Sequence, residues 1–432
     1  QSDSDITKNI KEKITFLKKE YSPFLLPAFQ QLLSLETVDE SWYQIGPQKR
    51  RYHIFEALKW LLLTMSEEKP LITLVDDLQW MDKTSEEFLS YFIDSIPQNP
   101  ILLVLLYRPG YTHPWGNRSH YSKSGLGQLT RKSVVKLISA VLDDVAVEAE
   151  LEQLILGKCA GNPLFVEEFI HTLLDNDYIK RKDNQIVLIH GSDNIKIPDT
   201  IHGIVAARID NLDGLLKQII QAASVIGNDF GYRILQTITG MGEELKSYLD
   251  KLQSLEFIYE RELFSELEYT FRHALIQEVA YSSLLLKRRI DLHARIGLAA
   301  EFLYADKLDE FYEILAYHYS LGEDYARAYK YLKLSGEKAE ENFSHLQAFH
   351  FFEKAQKTYD KLPEADGGDT EKLEIYKMMT RPLAMLGFPK GSLNILKEGA
   401  KIAKELGDQK SFSRFHNDIS ILYTARGDSL LS

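Results

Sequence analysis

Two short apolar runs, Leu71-Ile72-Thr73-Leu74-Val75 and Ile101-Leu102-Leu103-Val104-Leu105-Leu106, leave this chain little choice over one stretch of its fold. Continuous hydrophobic runs are the pattern of strands buried on both faces. Between them Thr84 and Glu87 form a capping box, and Phe88, Phe92 and Ile96 recur every fourth residue as one face of a helix. Pro97 and Pro100 break that helix. Strand, helix and strand in so short a span make a βαβ unit, with parallel strands and a right-handed crossover.

The first strand runs into Asp76 and Asp77, followed by Leu78-Gln79-Trp80. Ligands of parallel sheets sit at the carboxyl ends of the strands. Two adjacent carboxylates repel each other, and a cation offsets that repulsion. On this reading Asp76 coordinates magnesium through water and Asp77 polarises an attacking water. The plain alternative is a surface turn after a core strand. The second strand ends in Tyr107-Arg108-Pro109-Gly110, which brings Arg108 toward the same ligand. Its planar guanidinium suits the oxygens of a γ-phosphate. The sequence contains no G-x-x-x-x-G-K-[ST] phosphate loop, so it shows half of a nucleotide site.

Amphipathic helices are expected over residues 6–21 and 51–65, and a third short strand near Ser124 to Leu129. From Thr130 to about residue 255 the pattern is helical. Then Phe257 to Arg261 and Glu268 to Arg272 flank a polar turn, and helices followed by one hairpin predict a winged-helix domain. Beyond Tyr281 helices alternate with turns at Gly322-Glu323-Asp324, Gly407-Asp408 and Gly427-Asp428. Small residues recur in them, among them Ala328, Ala339, Ala348, Ala355, Ala400 and Ala403, as in a tetratricopeptide-like solenoid. Pro363 to Asp369 is its expected flexible spot. The expected fold is mostly α, with a partial α/β core like that of P-loop NTPases, a helical lid, a winged-helix domain and a tetratricopeptide-like α-solenoid. The expected boundaries are 1–130, 131–194, 195–285 and 286–432.

Gly161-Asn162-Pro163-Leu164 opens a helix, where proline is ordinary structure. Phe271-Arg272-His273 stands where the hairpin hands over to the next helix, and a lone histidine there reads as a structural group. Lys287-Arg288-Arg289 reads as a solvated helix face. No zinc-ligand spacing is present. The net charge of -12 argues against a large nucleic-acid footprint. The single cysteine, Cys159, permits no internal disulfide and fits a reducing, cytoplasmic setting. No apolar stretch is long enough to span a bilayer. The first residues resemble no signal peptide and lack an initiator methionine, which marks the chain as an expected piece of a longer product.

Val75 to Asp82, Tyr107 to Tyr111 with Pro114-Trp115, Gly161 to Glu168, Ile204 to Asp210, and Leu267 to Leu275 running to Tyr281 together resemble one family. It is the large signalling ATPases of the STAND type (Orc1-like AAA domains) that accompany class III adenylate/guanylate cyclase domains and carry C-terminal tetratricopeptide repeats. The resemblance spans residues 40–362 approximately. It implies that Asp76 is the Walker B aspartate holding magnesium, that Asp77 takes the catalytic acidic place and that Arg108 is a sensor arginine. It implies that Asn162 and Pro163 belong to the lid motif whose proline packs on adenine. It also implies that His273 matches the winged-helix histidine that senses bound ADP, although Ala274 replaces the aspartate that follows it elsewhere. The family's phosphate loop, and any cyclase or other effector domain, would lie before residue 1. ATP and magnesium are therefore expected in the intact protein, with weak or no binding by this chain itself. The implied partner is a protein held by the helical repeats, with no nucleic acid and no membrane. The rival expectation is a non-enzymatic interaction scaffold with a vestigial ATPase fold; a winged-helix transcription factor is a weaker third. An incomplete sheet is expected to expose an edge strand and to promote self-association.

Overall fold

The computed structural model describes residues 3–16, 23–33, 35, 37, 39–182, 185–189, 197–263, 266–362 and 368–425. The chain divides into two compact units. One comprises residues 1–124, 336–353 and 369–432; the other comprises 125–335 and 354–368. The fold is mostly α, with small sheets.

The first unit begins with α1 (Asp3–Phe16), α2 (Leu25–Leu32), α3 (Glu40–Gln44) and α4 (Pro47–Glu68), followed by β1 (Leu71–Val75), α5 (Lys83–Ile93) and β2 (Ile101–Leu105). Residues 17–21 of the first expected helix lie outside the described residues. The expected βαβ unit is present: β1 and β2 pair in parallel, from Leu71 against Ile101 to Val75 against Leu105. Val75, Leu103 and Leu105 pack on a core of Leu78, Leu89, Ile93 and Trp115.

Burial on both faces, expected from the continuous apolar runs, does not hold. Ile72, Leu74 and Leu102 are 68%, 59% and 57% exposed. A sheet of two strands covers its second face only if another layer is laid on it. The capping box needs a second correction. The residue that caps α5 is Asp82, whose carboxylate accepts from the N–H groups of Thr84 and Ser85 at 2.8 and 3.1 Å. Asp82 precedes the first helical residue, where a cap belongs. The strand expected near Ser124 to Leu129 is absent. Gly125 and Gly127 weaken strand formation there, and Leu126 is 93% exposed.

The second unit opens with α6 (Arg131–Val141), β3 (Ala146–Val147), α7 (Ala149–Cys159), α8 (Pro163–Asp175), β4 (Ile179–Lys182) and β5 (Gln185–Leu188). The three strands form one sheet in the order β3-β5-β4. Then come α9 (Ile201–Asp210), α10 (Gly214–Ile226), β6 (Asp229–Gly231), α11 (Tyr232–Thr239), α12 (Glu244–Ser254), β7 (Ile258–Leu263), β8 (Glu266–Phe271) and α13 (Ala274–Ser282). β7 and β8 are the expected hairpin, and β6 joins β8 on its other side. The stretch expected to be wholly helical thus carries four extra strands. They are two to four residues long, and β4 reads Ile-Lys-Arg-Lys, so none shows an alternation to recognise.

This unit has two apolar cores. Val134, Ile138, Leu151, Ile155, Val166, Phe169, Ile170 and Leu173 build the first. Ile219, Ile220, Phe230, Leu235, Leu249, Tyr269, Phe271 and Ile276 belong to the second. Adjacent residues of α9 divide between them: Ile204 packs in the first and Val205 in the second.

After α13 only helices follow among the described residues: α14 (Leu286–Leu303), α15 (Leu308–Leu321), α16 (Tyr325–Glu341), α17 (His345–Tyr359), α18 (Gly368–Met385), α19 (Ser392–Glu405) and α20 (Gln409–Ala425). The expected turns at Gly322-Glu323-Asp324 and Gly407-Asp408 join α15 to α16 and α19 to α20. Gly427-Asp428 and residues 363–367 lie outside the described residues. Close approach within helix pairs depends on glycine facing an aromatic ring. A Cβ on Gly336 would meet Phe352 at 2.3 Å, and one on Gly399 would meet Phe415 at 2.5 Å. The ring follows its glycine by sixteen residues in both pairs. No described helix is long and apolar enough to cross a membrane.

Candidate functional site

The carboxyl ends of β1 and β2 are joined beyond the strands themselves. Leu106 N–H donates to the Val75 carbonyl at 2.9 Å, and Leu78 N–H donates to the Leu106 carbonyl at 3.0 Å. Between those bonds the chain makes a sharp turn. Asp77 has a φ of 50°, in the left-handed region that aspartate tolerates better than most residues. That turn leads into one turn of 3₁₀ helix, Leu78–Trp80, which drives Leu78 into the core while Asp76 and Asp77 stay exposed.

Gln79 ties the two strand ends together. Its Nε2 donates to Asp77 Oδ1 at 2.7 Å, and its Oε1 accepts from the Arg108 backbone N–H at 3.2 Å. Asp76 Oδ1 accepts from the Asp77 N–H at 2.8 Å. Asp76, Asp77 and Arg108 are thereby brought to one end of the sheet. Two exposed hard carboxylates suit a magnesium ion held largely through water. Among the described residues no group of three or more His, Cys, Asp or Glu side chains is arranged to cage a metal directly.

The loop after Arg108 is built on aromatic rings. Tyr107 and Tyr121 join their hydroxyls at 2.8 Å, and His113 Nε2 lies 3.0 Å from Tyr121 Oη and 3.3 Å from Tyr107 Oη. The bond to Tyr107, and then burial, pushes the Tyr121 hydroxyl up to about 12. Burial, then the charge of Lys123, lowers His113. Trp115, wholly buried, donates its Nε1–H to Ser90 Oγ at 2.8 Å and anchors the loop to α5. This loop fixes the exit of β2, and with it the base of Arg108.

Asn162, Pro163 and His273 belong to the other unit. The Asn162 carboxamide oxygen accepts from the Phe165 N–H at 3.2 Å, so Asn162 caps α8, and Pro163 occupies the first helical turn. Nearby is a cavity of about 560 Å³ lined by Leu129, Arg131, Val134, Gln153, Leu156 and Gly161. Gly161 adopts φ +75°, and a Cβ there would meet the Leu129 carbonyl oxygen at 2.6 Å. His273 stands at the start of α13 with Nε2 3.7 Å from Glu167 Oε2.

No protein-family model matches the chain. An uncharacterized protein of Rhizobium meliloti (strain 1021) is 26% identical to it over 257 residues, which is 59% of this chain and 24% of that protein. The chain thus spans about a quarter of the length of this curated relative. Among solved structures, a signal transduction ATPase with numerous domains (STAND) protein with a tetratricopeptide repeat sensor, from Pyrococcus horikoshii, aligns over 90% of this chain and 66% of that one. The TM-score is 0.38 and the identity 13%.

Sequence reasoning did not find Gln79 as the bridge between strand ends. A glutamine two residues beyond the acidic pair was the available signal. It also did not find the buried pair of Arg208 and Glu168, whose Nη1 and Oε2 lie 2.6 Å apart. A basic residue inside the apolar stripe of α9 was the signal there.

Proposed function

We propose that this chain carries the metal and γ-phosphate half of a Mg-ATP site within a regulatory switch ATPase, and that its helical pairs receive a protein signal. The observation that supports this is the cluster of Asp76, Asp77 and Arg108 at the joined ends of two parallel strands. Asp76 would hold magnesium through water, which supplies charge neutralisation at the phosphate oxygens. Asp77 would orient a water for in-line attack. Arg108 would read the γ-phosphate through its fork of donors. The phosphate cradle of backbone N–H groups and lysine has no counterpart in this sequence, so a longer polypeptide would provide it, together with a cyclase or other effector domain.

One experiment compares this chain with the full-length product of its gene. Millimolar Mg-ATP leaves the thermal midpoint of this chain nearly unchanged. The full-length protein binds Mg-ATP, and Asp76→Asn weakens binding only when magnesium is present. A shift of many degrees in this chain alone would refute the reading of a half site. A full-length protein indifferent to nucleotide would favour the second reading, an interaction scaffold, which the missing phosphate loop supports.

A further inference from the structure

Arg108 stands between two clasps. On one side Gln79 Oε1 accepts its backbone N–H. On the other, Tyr107 is gripped by the aromatic loop, and the hydrogens of that grip can be counted. Trp115 donates its backbone N–H to His113 Nδ1 at 3.3 Å. A ring nitrogen that accepts carries no hydrogen, so the neutral imidazole has its single N–H at Nε2. Nε2 therefore donates to the tyrosine hydroxyls, with Tyr121 Oη at 3.0 Å and Tyr107 Oη at 3.3 Å, and those two oxygens are bonded to each other at 2.8 Å. One imidazole thus ties the end of β2 to the far side of the loop. Trp115, through Ser90, ties the loop to α5.

A further proton has one place to go, Nδ1, and there it would point at the Trp115 N–H. Two donors would then face each other where one bond now stands. Among the described residues no carboxylate offsets this. The charge that acts on the ring is the ammonium of Lys123, which lies 5.6 Å from the centroid of the Tyr107 ring. Of the acids that α5 turns toward the loop, Glu86 pairs with Lys83 at 2.9 Å and Asp94 pairs with Arg118.

On the reading that Arg108 meets the γ-phosphate, we propose that His113 is its positioning residue. As the Nε2–H tautomer it clasps Tyr107 and Tyr121 and fixes the strand end that carries Arg108; a proton on Nδ1 releases the clasp. Burial, and then Lys123, hold the imidazole below its ordinary value of 6.5, in line with that geometry. The clasp is therefore at full strength above pH 6.5 and weakens as pH falls below it. One proton changes the closed-to-open ratio by at most tenfold per pH unit.

Two measurements on the full chain test the clasp without nucleotide. Long-range proton–nitrogen NMR correlations at pH 7.5 show His113 as the Nε2–H tautomer; the Nδ1–H tautomer would overturn the proposal. Hydrogen exchange between pH 7.5 and 5.5, corrected for intrinsic rates, shows the peptide covering 106–121 losing protection by up to about tenfold per pH unit, while that covering 83–93 does not. In His113→Gln, whose carboxamide still donates but does not titrate, the pH dependence is gone; in His113→Leu the loop is loose at every pH. Constant protection in the wild type, or an unchanged pH dependence in His113→Gln, would also overturn it. The link to Arg108 is read in the full-length product of the gene. There Mg-ATP affinity falls with pH more steeply than in His113→Gln, and Arg108→Gln removes that excess. An excess that survives Arg108→Gln refutes positioning. A full-length protein that ignores Mg-ATP refutes the nucleotide reading instead, and the clasp is then upheld or overturned by exchange and tautomer alone.

Discussion

Gly399 of α19 gives the sharpest test of how the helix pairs are held. Alanine in a helix interior is favoured over glycine by about 0.8–1.0 kcal/mol. At Gly399 the new methyl would lie 2.5, 2.6 and 3.0 Å from three ring atoms of Phe415, which is wholly buried. Overpacking of that kind costs about 1–3 kcal/mol. With contacts this short the clash outweighs the propensity, and Gly399→Ala destabilises α19 against α20 by up to about 2 kcal/mol. Gly157 of α7 is the control, because it is exposed and a Cβ there meets nothing within 4 Å. Gly157→Ala stabilises by up to about 1 kcal/mol. Urea unfolding followed by circular dichroism reads both midpoints. Opposite shifts are expected, and Phe415→Leu in the Gly399→Ala background recovers part of the loss through a coupling term. If Gly399→Ala raised the midpoint as Gly157→Ala does, steric closeness would not be what sets the helix spacing.

Two further outcomes follow from the geometry. His293 and His318 share one hydrogen bond, Nδ1 to Nδ1 at 2.9 Å, and burial depresses them to about 4 and about 3. Both are neutral in the fold, so stability is lost as pH falls from 6.5 toward 4; replacing both with leucine moves the acid transition of the helical circular dichroism signal to lower pH, and an unmoved transition would exclude this pair as its source. On the open face of β1, Ile72→Lys with Leu74→Glu changes stability by only about 0.5 kcal/mol per exposed site yet lowers self-association measured by light scattering. Scattering that stays the same would place the contact elsewhere.

The parallel pair was legible because its two apolar runs and the helix between them have distinct periods. The hairpin was legible too, because Phe257 to Arg261 and Glu268 to Arg272 are β-prone runs on either side of a short polar turn. Single-face burial of β1 was not, since Ile72 and Leu74 are as apolar as the positions that pack on α5. The cap of α5 was misread by two residues because Thr84 and Asp82 are both good caps, and only the start of the helix decides between them. Within the candidate site, Asp76, Asp77 and Arg108 could be placed from strand ends alone. Gln79 could not, because its role depends on the parallel register that sets Leu106 beside Leu78. The buried pair of Arg208 and Glu168 joins residues 40 apart, and no local pattern announces such a meeting. The glycine and ring of the α19–α20 pair do leave a trace, a sixteen-residue interval repeated at Gly336 and Phe352.

Gln79 has one further consequence. A carboxamide has a donating end and an accepting end, and here each is already assigned: the amine to a carboxylate, the oxygen to a backbone N–H. Glutamate at this position would set two anions side by side, and methionine would answer neither group. One amide therefore works as a polarity-coded spacer, and its orientation, as much as its length, keeps the acidic turn and the basic strand end in register.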